Sequence, residues 1–140
     1  MADLGRHWTY LQDEWNAAVN APLSTRRVLL VAALADAYAD RLFAAASDAD
    51  DVLIFRAELA AAVPALGLVF DLCAQRAHVA LAAVEVPLAD YGALPVEDFM
   101  VSLYNDHSVQ RVMLIGPDGQ SRLAHAVLSE AIGALGAWAR

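Results

Sequence analysis

The chain has 140 residues and a mass of 15.0 kDa, which suits a single compact domain over residues 1–140. An apolar content of 59% without a long like-charge block excludes an intrinsically disordered chain, and a net charge of −8 makes nucleic acid a poor partner, because an acidic surface repels phosphate. Cys73 is the single cysteine, which rules out a disulfide framework. Charged residues from Asp3 to Glu14 interrupt any leader-like segment, and no apolar run reaches the roughly 20 residues of a membrane span. The expectation is an acidic, helix-rich, cytoplasmic protein.

Of the 83 apolar residues, 31 are Ala, so much of the apolar content is small and inexpensive to expose. All nine basic residues are Arg. The net charge lies in residues 1–98, with 14 acids and 6 Arg, whereas residues 99–140 hold three of each sign.

In chain order, Trp8, Leu11, Trp15 and Val19 recur at helical steps and predict a first helix over 4–20, its two Trp anchoring it to the core or to a second subunit. Asn20-Ala21-Pro22 breaks it. A long helix over 24–47 follows, capped by Ser24 or Thr25. It is apolar at nearly every position from Val28 to Ala46, so it is expected to be central and buried. Asp50 or Asp51 caps a third helix running to about Val63, and Pro64 opens a fourth over 64–77. Alternation of Val84, Val86 and Leu88 with Glu85 and Pro87 predicts an edge strand near 80–87. Residues 90–93 read as a loop, and Pro95 as the start of a helix of about ten residues. Val109–Ile115 is the strongest strand candidate, and Gly116-Pro117-Asp118-Gly119 is a turn. The favoured continuation is a helix over 121–139 capped by Ser121; the alternative is a return strand over 120–126 and a shorter helix. The fold class is therefore predominantly α (α+β). Five to six helices surround a central Ala-rich helix, with a two-stranded β element in the C-terminal third, or a three-stranded one if the hairpin forms. Strand direction is left open, as a right-handed crossover would give a parallel pair and a long loop an antiparallel one.

Four places could carry chemistry. Ser24-Thr25-Arg26-Arg27 puts two guanidinium groups in a first helical turn, where the dipole disfavours cations. A phosphate or carboxylate held by the free N–H groups, Ser24, Thr25, Arg26 and Arg27 would remove that conflict, as would pairing with the Asp48–Asp51 cluster or with acids of another subunit. Asp36 and Asp40 stand one turn apart, the spacing of a minor metal-site candidate, but no second carboxylate pair accompanies them and a polar stripe beside Arg41 or Arg56 explains them better. The Asp48, Asp50, Asp51 cluster lacks the Gly and Glu of a calcium loop. Asp106 beside His107, with Tyr104 close by, has the ingredients of general-base catalysis, although no nucleophile elbow is present. His78 and His125 read as isolated packing residues, and Cys73 as buried and inert. With the glycines dispersed there is no phosphate-cradling loop, so no cofactor is expected.

The leading expectation is a protein–protein interaction or scaffold module acting as a homo-oligomer, rather than an enzyme. One alternative is a binding protein for a small anion at Ser24–Arg27. A second is a small enzyme using Asp106 and His107.

Overall fold

A computed structural model describes residues 2–21, 23–87 and 108–138. Among them are five helices: α1 (Ala2–Val19), α2 (Thr25–Ala46), α3 (Val52–Ala62), α4 (Pro64–Ala74) and α5 (Ala124–Trp138). Three strands, β1 (Ala80–Pro87), β2 (Ser108–Ile115) and β3 (Ser121–Leu123), form one antiparallel sheet in the order β1-β2-β3. The chain is thus mostly helical with a small sheet, an α+β architecture. The loop and helix expected over 90–105 lie outside the described residues.

The helix boundaries have local causes. Ser24 caps α2 by accepting a hydrogen bond from the Arg27 amide at 3.2 Å. Asp51 caps α3 through the Leu53 amide at 2.6 Å. Pro64 occupies the first turn of α4, where its missing N–H costs nothing. Helix α4 ends at Gln75, which takes a left-handed conformation (φ 56°).

Helix α1 packs along α2, the Ala21 amide donating to the Ala18 carbonyl and the Ser24 amide to the Ala21 carbonyl between them, and the rings of Trp8 and Tyr38 meet at 5.2 Å. Helix α2 touches the four other helices and β1, which makes it the hub of the core. Its inner stripe is Val28, Val31, Ala32, Ala35, Tyr38, Ala39 and Leu42. Packed against that stripe are Leu11 and Ala18 of α1, Phe55 of α3, Leu66 and Val69 of α4, and Leu128 and Leu135 of α5. Only this side of α2 is buried. Leu29, Leu30, Ala33 and Ala37 face solvent, which corrects the expectation of a helix buried all round.

Strand β1 pairs with β2 over eight positions, from Ala80↔Ile115 to Pro87↔Ser108, so Pro87 ends the strand as its missing donor requires. The pairing is antiparallel, which excludes the crossover option. After β2, Gly119 N–H donates to the Gly116 carbonyl (3.0 Å), and Gly119 adopts φ +78°, a conformation that suits glycine. This turn lays Ser121–Leu123 onto β2, with Ile115↔Ser121 and Met113↔Leu123 in register. Here the favoured helix from Ser121 gives way to a return strand shorter than the alternative foresaw. The free edge of β2 satisfies the backbone groups of 121–123, and the helical pattern takes over only from Ala124.

Candidate functional site

The residues singled out by sequence fall into separate places. Tyr104, Asp106 and His107 lie outside the described residues. The Ser24 hydroxyl is engaged by the Arg27 amide, so the α2 start is an ordinary capped terminus. Arg26 is exposed and Arg27 half-buried; among the described residues neither makes an ion pair.

Asp36 and Asp40 are held by Arg56 of α3. Its Nη1 donates to the Asp40 carboxylate (2.9 Å) and to the Asp36 carbonyl (3.1 Å), while its Nη2 pairs with the Asp36 carboxylate. The guanidinium carbon lies 4.0 Å from the centre of the Phe70 ring of α4. One side chain thereby ties α2, α3 and α4 together. A fork-shaped donor suits this role better than a point charge would. Among the described residues no group of three or more His, Cys, Asp or Glu is placed to hold a metal ion.

Cys73 is exposed, which corrects the expectation that it is buried. It shares the helical face of Leu66, Val69 and Phe70 but stands in the last turn of α4, where residues 73–78 are all exposed and the core no longer covers that face. Partial desolvation and the nearby Asp36 carboxylate push its thiol from 9.0 up to about 11, against a smaller opposing effect of Arg56. His125 packs as expected: its Nε2 lies 3.0 Å from the Ala18 carbonyl, and its ring is 6.0 Å from that of Trp15.

Sequence reasoning missed two concave features, both made by residues far apart in the chain. An open cleft of about 430 Å³ lies between α4, the β2–β3 turn and α5, edged by Asp71, Asp118, Arg122 and Glu130. Arg122 and Asp118 approach within 3.7 Å there. A groove of about 350 Å³ separates α1 from α5, with Trp8 and Trp15 on one wall and Gly133 and Gly136 on the other.

The outer face of α2 is the more coherent surface. At 100° per residue, Arg26, Leu29, Leu30, Ala33, Ala37, Asp40, Arg41 and Ala44 share an arc of about 120°, and all eight are exposed. Leu29 and Leu30 keep 47% and 45% of their surface in solvent. Val19, which ends α1, and Leu23, just before α2, are exposed to a similar degree. Sequence alone held the signal for this face. A helical wheel places Arg26 and Arg41 on the side opposite Val28, Ala35 and Leu42.

Comparison with protein-family models, with curated proteins and with solved structures finds no match for this chain.

Proposed function

We propose that this chain is a protein-interaction module that works as a homo-oligomer in the cytoplasm. The observation that carries this reading is the concentration of exposed large apolar residues at the α1–α2 corner. Among the described residues eight are exposed, and four of them (Val19, Leu23, Leu29, Leu30) fall within positions 19–30. Exposed apolar surface is costly to leave in water, and its concentration over a short stretch of chain supports a contact site there. Among the described residues no carboxylate pairs with Arg26, which stands beside it, and interface edges favour Arg. A lone cysteine outside any disulfide supports a reducing compartment. No helix among the described residues is long and apolar enough to cross a membrane.

Light scattering across a concentration series tests the reading. The expected result is a species of twice 15.0 kDa, or a higher multiple, at high micromolar protein. A strict monomer there would overturn it. The same Arg26 and Arg27 also carry the alternative, capture of a small anion. Phosphate or a carboxylate would then raise the melting temperature by linkage, and Arg26→Ala would remove the gain.

A further inference from the structure

Resting on the homo-oligomer reading, we propose that the occupant of the outer α2 face is the same face of a second copy, packed antiparallel across a two-fold axis near Ala37. The charge layout of α2 favours this partner. Arg26 sits in its first turn, and Asp48 lies just past its C-cap, Ser47. Among the described residues neither is engaged in an ion pair. An antiparallel pair centred on Ala37 sets Arg26 of one copy opposite Asp48 of the other, and symmetry makes the contact twice. Leu30 then falls on the partner's Ala44, and Ala33 lies beneath the stem of the partner's Arg41. A large residue meets a small one in the two layers on either side of the axis, and Ala37 meets the partner's Ala37 at the axis itself. The alanines at 33, 37 and 44 permit a short interaxial distance.

Helix α2 spans 22 residues, or about 33 Å, so the end contacts depend on the crossing angle. A shallow crossing of about 20° separates the helix ends by only about 6 Å beyond the closest approach, within reach of an Arg side chain. A crossing near 50° separates them by about 14 Å and breaks both charge contacts. Ala37 and Ala33 favour the shallow class, since they offer no ridge that forces the helices apart. The surface also extends beyond one helix. Arg41 and Ala44 border a hollow shared with Asp3 and Leu4 of α1, and Asp40 is tied to Arg56 of α3. The flanks of α1 and α3 therefore widen the contact towards the area that a stable dimer needs.

A charge-reversal cycle read by sedimentation velocity tests the pairing. Arg26→Glu and Asp48→Arg should each weaken dimerisation about tenfold or more, and the double variant should restore it to near the wild-type value. Neither change threatens the fold, since an acid in a first helical turn is favourable and Asp48 is exposed outside any helix. Raising salt from about 50 to 500 mM should weaken the wild-type dimer and leave a dimer without these charges nearly unaffected. A dimer indifferent to both single reversals overturns the α2 pairing while the homo-oligomer reading stands. Loss in both single variants without rescue in the double overturns the two-fold register. A chain that is monomeric throughout overturns both proposals.

Discussion

Arg56 shows how much one side chain settles. Its guanidinium spans two carboxylates, a backbone carbonyl and an aromatic face, and it is mostly screened from solvent. Removing it leaves Asp36 half-buried and uncompensated. Arg56→Ala should therefore destabilise the fold by about 1–3 kcal/mol, less than a fully buried pair because Asp40 stays wet. Arg56→Lys should recover only part of that, since an ammonium cannot serve all three acceptors in one plane. Urea denaturation of the two variants measures both values.

Cys73 gives a second residue-scale expectation, with a sign fixed by proton linkage. The folded thiol ionises near 11 and the unfolded one near 9.0, so between these values the folded state holds the extra proton. Stability should accordingly fall as pH rises from about 9 to 11. Tyr38, whose phenol is also pushed up by burial, adds to the loss above its ordinary value of 10.0. Cys73→Ser should flatten the lower part of this decline in melting temperature. Below pH 9, alkylation of Cys73 should be slow despite its exposure, because little thiolate is present. Asp36→Asn should speed it.

Among the elements, α1 and α5 meet through an aromatic ring set against a glycine. A Cβ on Gly136 would lie 2.9 Å from the Trp8 ring, whereas one on Gly133 would meet nothing within 4 Å. Gly136→Ala should destabilise the fold by about 1–3 kcal/mol through overpacking. Gly133→Ala should stabilise it by up to about 1 kcal/mol through helix propensity alone. The contrast between two alanines one turn apart is read from thermal melts. The α4–β1 connection offers another test. Ala77 and His78 both hold φ near +58°, and the Val79 amide closes the turn on the Arg76 carbonyl at 3.2 Å. Two consecutive left-handed residues form a turn that Asn-Gly occupies with least strain. Replacing Ala77-His78 by Asn-Gly should raise stability by about 1–2 kcal/mol, measurable as a shift in the urea midpoint.

At the scale of the whole molecule, α2 has two faces with two uses. The inner face organises the core and the outer face is left for a partner, so self-association should respond to substitutions at 26, 30, 37 and 48 without loss of the fold. Most elements are legible in the order of residues. Ser24, Asp51 and Pro64 act on their own first turns, and the alternation over 80–87 and the apolar run over 109–115 are properties of single strands. The candidate sites are less legible, because each depends on which elements meet. Arg56 lies 16 and 20 positions from the two acids it holds. Ser24 offers two roles in sequence, cap and ligand contact, and its bond to the Arg27 amide commits the hydroxyl to the first.

Helix caps, proline positions and apolar period depend on neighbours within a few residues, so the primary chain was enough to place the long helices, the two main strands and the turn after Ile115. Strand direction, the switch of 121–123 from helix to ladder, the exposure of Cys73 and the one-sided burial of α2 followed only from packing. Each of them turns on a free backbone edge, or a neighbouring surface, that distant parts of the chain supply.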